Sequence, residues 1–319
     1  MKRQSGATLI EVLVAIFITS IGLLGMLALF PLGVLNMARA IQEERAAEAC
    51  ANAIAASKAV GRDTGGLPID LRQHSGITTP TNYFTQPDPS LPDRSTSTGP
   101  SYPVYIDPIG SFNYGASLQA SWVGRYSASD PLTVPRLATS VLPPAYSTFA
   151  GALKWCALLD DVTFGDPLDG TPHPFGPAVI QRNERYSWAY LLRRPSVPGP
   201  PDLVDISVVV YNGRQLQASG GGIVDEAAFQ ATLTPPNLIS LTFAGQKPSI
   251  RKGGWVLDAT MTSDPPRGFF YRVSDVKDTG SNTIDLETQT DLLATGTGVI
   301  VIMQNVIEVF DRSTMQGAP

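Results

Sequence analysis

Cysteine and histidine are scarce in this chain, with two of each in 319 residues. Neither Cys50, Cys156, His74 nor His173 has a second Cys or His at ligand spacing, which excludes the zinc-type clusters. Both histidines fall in Pro/Gly-rich stretches, where an imidazole is ordinarily solvated. Charge is thin as well, 16% of residues with a net of −5, and no basic stripe or cluster exists to hold a nucleic acid. No G-x-S-x-G, phosphate-binding loop or G-x-G-x-x-G occurs. Ser249 and Lys252 satisfy S-x-x-K but lack the companion elements of the serine hydrolases. No nucleophile–base pair and no cofactor site is legible, and the chain is expected not to be an enzyme. What it has in plenty is glycine (29), proline (27) and apolar side chains (43%), the composition of a β-rich, loop-rich globular domain.

The longest apolar run lies at the N-terminus. After MKRQSGATLIE no charged side chain occurs for 27 positions, residues 12–38. As a helix this run is about 40 Å long, enough to cross a hydrocarbon core of about 30 Å with some tilt. Glu11 stands at its start. A carboxylate there costs about 2.5–3.5 kcal/mol if it reaches mid-membrane, so an acid kept at this position needs a partner. A secretory signal peptide fits less well, because its apolar core is about 7–15 residues and the Ala38-Arg39-Ala40 triplet carries an arginine.

Lys2 and Arg3, Gly6, then Ala7, Thr8, Leu9, Ile10 and Glu11 together resemble the leader and cleavage motif of the type IV pilin superfamily, which includes the pseudopilins of type II secretion. The run VLVAIFITSIGLLGMLAL is most similar to the minor pilins. The resemblance implies a leader of residues 1–6, cleavage after Gly6 by a prepilin peptidase, and N-methylation of the new N-terminus, Ala7. Ala7 departs from the commoner Phe. Glu11 becomes the fifth mature residue, whose carboxylate pairs with the Ala7 amine of a neighbouring subunit and sets register in a filament. The resemblance further implies other pilin or pseudopilin subunits and an inner-membrane assembly platform as partners. It implies a single pass through the bacterial inner membrane with the C-terminal head exported. A pilus, a secretion pseudopilus and a DNA-uptake apparatus all stay open. The alternative is an exported enzyme or ligand-binding domain tethered by a pilin-like anchor.

Beyond the membrane run, RAIQEERAAEACANAIAASKAV continues the helix to about residue 60, with Ile41, Ala47, Cys50, Ile54 and Ser57 recurring at helical spacing. Pro31 removes a backbone donor in its middle and predicts a kink or an opened turn. Residues 61–150 hold 12 of the 27 prolines and read as an irregular, exposed excursion. Residues 151–319 hold eight candidate strands, among them RYSWAYLLRR, LVDISVVVYNGR and VIVIMQNVIEVF, with a short helix expected over residues 225–231. The expected class is α+β: a long N-terminal hydrophobic helix packed on a predominantly antiparallel β-sheet head. Asp160, Asp161, Asp166 and Asp169 crowd one stretch, DDVTFGDPLD, that could offer oxygens to calcium. The spacing is not that of an EF-hand, and Asp beside Pro or Gly is ordinary turn chemistry, so no metal is expected. Cys50 and Cys156 can pair in an oxidising compartment or stand as buried thiols.

Overall fold

The computed structural model describes residues 9–63, 83–113, 118–125, 127–137, 155–158, 162–165, 179–182, 186–196, 203–214, 226–245 and 247–316. The chain divides into two compact units, Met1–Ala47 and Glu48–Pro319. The first holds most of helix α1 (Leu9–Asp63), with Pro31 inside it. Among the described residues, α1 is the one helix long and apolar enough to cross a membrane. Its large apolar side chains lie open, Phe17 at 65% and Phe30 at 72% exposure. The two hydroxyls of the run bond back to their own helix, Thr19 Oγ1 to the Ala15 carbonyl and Ser20 Oγ to that of Ile16. That removes their need for water, as a bilayer requires.

In the second unit the last turns of α1 bury Ala49, Cys50, Ala53 and Ser57. This face is rotated from the one the sequence suggests: Ala47 and Ile41 are exposed and Ile54 is only partly covered. The smallest side chains point inward because they let the backbone approach a sheet closely.

Successive elements are β1 (Val104–Ile106), the short helices α2 (Pro108–Asn113) and α3 (Leu118–Ser121), and β2 (Arg136–Leu137). Then come β3 (Val162–Gly165), β4 (Val179–Arg182), β5 (Tyr186–Arg193) and β6 (Leu203–Asn212). The remaining strands are β7 (Glu226–Thr234), β8 (Leu238–Thr242), β9 (Trp255–Asp258), β10 (Phe269–Asp278), β11 (Thr283–Thr288), β12 (Gly296–Met303) and β13 (Val306–Gln316). One sheet runs β13-β6-β5-β1-β2 and a closed six-stranded barrel runs β10-β11-β8-β7-β12-β9, while β3 and β4 form a separate ribbon. Among the described residues all strand pairings are antiparallel except β1 with β2.

The sheet is apolar on both faces because each is covered. On one face the Tyr190 hydroxyl donates to the Ala53 carbonyl at 2.8 Å and accepts from Trp188 Nε1 at 3.1 Å. Leu192 shares that face by strand alternation. On the other face Ala189, Leu191, Val209 and Tyr211 pack against the barrel's Leu257, Ala259, Val301 and Met303. The barrel's own interior is filled by Leu233, Ile239, Leu241, Val256, Val273, Ile284, Leu286 and Ile300. Tyr190→Phe should lower stability by about 1–3 kcal/mol, because it strands a buried indole donor and loses the helix contact. Urea denaturation of the full chain in micelles measures this. A loss under about 0.5 kcal/mol would mean that apolar contact alone holds the helix.

Four expectations need correction. Of residues 225–231, expected as helix, 226–231 lie in strand β7, where Ala231 and Leu233 point inward and two flanking strands supply pairing that outweighs the helix propensity of EAAFQA. VIVIMQNVIEVF is not one strand but two, β12 in the barrel and β13 in the sheet, broken at Gln304-Asn305 with Asn305 at φ 64°. In KWCALLDDVTF, Trp155 and Cys156 are helical, Ala157 makes an isolated bridge, and Val162 opens strand β3. Part of the stretch expected to be an exposed excursion threads the core: residues 101–111 are buried and β1 and β2 extend the sheet. Pro108 sits at position N1 of α2 and Pro135 just before the edge strand β2, places that tolerate a missing donor.

Candidate functional site

Glu11 lies in the first turn of α1, exposed, where a negative charge is favoured by the helix dipole. Gly6 and Ala7, which flank the expected scissile bond, are outside the described residues. So are Asp160, Asp161, Asp166, Asp169, His74 and His173. Among the described residues no group of three or more His, Cys, Asp or Glu is placed to hold a metal ion.

A second polar constellation, invisible in the sequence, lies buried between sheet and barrel. Asp107 follows β1 and caps α2: its Oδ1 accepts from the Gly110 N–H at 2.9 Å and its carbonyl from Ser111 N–H. Arg214, just past β6, donates from Nη1 to Asp107 Oδ1 at 2.7 Å and pairs again through Nη2 with Oδ2. The same Nη2 reaches Glu226 Oε1 at 3.1 Å, at the start of β7. Arg136 of β2 completes the ring, with Nη2 on Glu226 Oε2 and Nε 3.4 Å from Asp107 Oδ2. All four side chains are at most 3% exposed. Two positive and two negative charges therefore balance with water excluded. The guanidinium carbon of Arg214 lies 4.3 Å from the Tyr211 ring centroid, and the Tyr211 and Tyr105 hydroxyls are 2.6 Å apart. Gly110 cannot be anything larger, since a Cβ would collide with the Asp107 carboxylate and crowd both guanidinium groups.

Burial alone would raise the Asp107 pKa, but Arg214 and Arg136 outweigh it and hold the carboxyl below its ordinary range. Burial opposes the charge on Arg214, and Asp107 with its neighbours more than restores it. The phenols of Tyr105 and Tyr211 are pushed up, chiefly by burial. Asp107, Arg214 and the two phenols are thus each held in one protonation state. This is the chemistry of a clamp rather than of a proton shuttle. Its members lie in IDP, VPR, NGR and DEA, each an ordinary strand end, and nothing in one sequence says that they meet.

Cys50 and Cys156 are both buried and not joined in a disulfide. Burial raises the Cys156 thiol far above its usual range, which keeps it protonated and inert.

Against known protein families, residues 1–27 match the prokaryotic N-terminal methylation motif. No curated protein and no solved structure matches the chain. That motif is the hallmark of type IV pilins and pseudopilins, and it coincides with the start of the apolar helix α1. The N-terminus is that of a type IV pilin-like or pseudopilin-like precursor, a substrate for prepilin peptidase and N-methylation.

Proposed function

We propose that this chain is a minor pilin or pseudopilin, a non-catalytic structural subunit that enters a type IV pilus-like or type II secretion filament through α1. The observation that carries the reading is the methylation motif at the head of a helix whose apolar side chains are exposed along residues 9–37. Such a surface has two stable environments, a bilayer before assembly and neighbouring helices after it. In this reading the chain spans the bacterial inner membrane once, with residues 151–319 in the exported head. Prepilin peptidase cuts after Gly6, other subunits and the assembly platform take up the product, and Glu11 meets the amine of a neighbour's Ala7. The buried clamp keeps the head rigid enough to present loops to partners.

Intact mass spectrometry of membrane-extracted protein tests processing. The mature chain should begin at Ala7 and carry one added methyl group. A chain beginning at Met1, or cut near Ala40, would defeat the proposal.

A further inference from the structure

A groove of about 540 Å³ opens where the five-stranded sheet and the barrel part company. The same sheet face that buries Ala189, Leu191 and Val209 changes character toward its end. Strand alternation brings Arg193, Asp205, Ser207 and Asp311 to positions that would be apolar were the core to continue. Arg193 and Asp205 are direct cross-strand partners, as are Ser207 and Asp311. The Ser207 hydroxyl donates to Asp311 Oδ1 at 2.6 Å. The facing barrel wall stays aromatic, with Trp255 and Phe269 in the lining. The guanidinium of Arg193 lies 4.5 Å from the Phe269 ring centroid, which fixes its fork in place. On the rim Leu293 is 70% exposed.

One polar wall and one aromatic wall define the chemistry of the occupant. An aliphatic ligand would take water from the polar wall and offer it nothing in return. An anion is opposed by Asp205, Asp311 and Asp291, since Arg272, the second arginine of the lining, is already ion-paired with Glu308 at 3.6 Å. A simple cation is pre-empted by the Arg193 guanidinium, which already stands beside Asp205 and Asp311 as their positive partner. An extended peptide adding as a strand needs unpaired backbone, whereas this wall offers the side chains of a sheet face. A pyranose fits all four constraints. Its C–H face packs on aromatic carbon, and its hydroxyls donate to carboxylates while accepting from a guanidinium. The volume lies within the range of about 300–1,000 Å³ typical of small-molecule sites. We propose that this groove binds a short neutral oligosaccharide, with Arg193, Asp205 and Asp311 engaging its hydroxyls and the exposed carbons of Trp255 and Phe269 meeting its C–H groups.

The proposal does not depend on filament assembly and is tested apart from it. The full chain, in micelles of a detergent without a sugar headgroup, is titrated with cellotriose, chitotriose and maltotriose by calorimetry and tryptophan fluorescence. At least one should bind saturably at submillimolar concentration. Asp311→Ala, at an exposed position, should weaken binding about tenfold, the worth of one charge-assisted hydrogen bond, and leave the unfolding midpoint unchanged. Phe269→Ala should weaken it further. Lys247→Ala, a residue outside the groove, should change nothing. Absence of saturable binding for all three sugars overturns the proposal, as does equal binding by wild type and Asp311→Ala. Preferential binding of a trilysine peptide would mark a cation site instead and overturn it equally.

Discussion

Arg214→Met will lower the unfolding free energy of the head by about 3–5 kcal/mol, the largest loss expected of any single substitution outside the apolar core. The methionine fills much of the same volume, so the loss is electrostatic in origin. It leaves Asp107 and Glu226 facing one guanidinium instead of two, with water excluded from both. Removing charge in balanced fashion should hurt less: Asp107→Asn combined with Arg214→Met should be more stable than Arg214→Met alone. The pH dependence has a definite sign. The Asp107 pKa is lowered in the folded state, so its contribution is complete above the ordinary carboxylate value of about 3.9 and fades as pH falls toward the folded value. The stability gap between wild type and Asp107→Asn should therefore narrow below about pH 4. Urea titrations of both proteins at pH 7 and pH 3 measure it. A cost below about 1 kcal/mol for Arg214→Met would show that water reaches the cluster.

Glu11→Val will abolish filament incorporation while leaving membrane insertion and cleavage intact. Insertion should even improve, because the substitution removes a carboxylate from the start of an apolar segment. Cleavage after Gly6 depends on residues the substitution does not touch. Assembly alone should fail, since the amine of a neighbour's Ala7 would be buried without its counter-charge at about 3–5 kcal/mol per contact. That penalty falls at each junction the variant itself would make, and at about 1.4 kcal/mol per tenfold it lowers incorporation by about two orders of magnitude or more. Recovery of the variant in sheared filaments, or with partner subunits, is compared with wild type. Equal recovery would refute the register role of Glu11 and favour a simple anchor.

The pilin-like N-terminus was legible in eleven residues, because a charge pattern interrupting an apolar run is a local signal. The strands of the sheet were legible for the same reason: Ile206, Val208 and Val210 show their burial in the residue types themselves. Closure of the barrel was not, since β9 pairs with both β10 and β12 and no local pattern distinguishes a second partner from none. Nor was strand β7, where alanines carry helix propensity until two neighbours impose pairing. The break at Asn305 was hidden because VIVIMQNVIEVF is apolar on both sides of a turn that needs only one left-handed residue. The clamp was the least legible of all. Asp107, Arg136, Arg214 and Glu226 come from four strand ends, and only tertiary structure puts them within one ring.

The turn at Asn305 has a topological meaning. β6 and β13 are antiparallel neighbours, and the Asn212 N–H donates to the Asn305 carbonyl at 2.9 Å across their junction. In another chain a hairpin of a few residues would join them. Here the whole barrel occupies that place, so it is an insertion whose two ends lie side by side. A module plugged in at one seam can be exchanged, enlarged or lost while the helix and the sheet keep their strand order. The seam carries one electrostatic condition: whatever follows Arg214 must bring an acid to the position of Glu226, or the two arginines of the sheet are left with half their counter-charge.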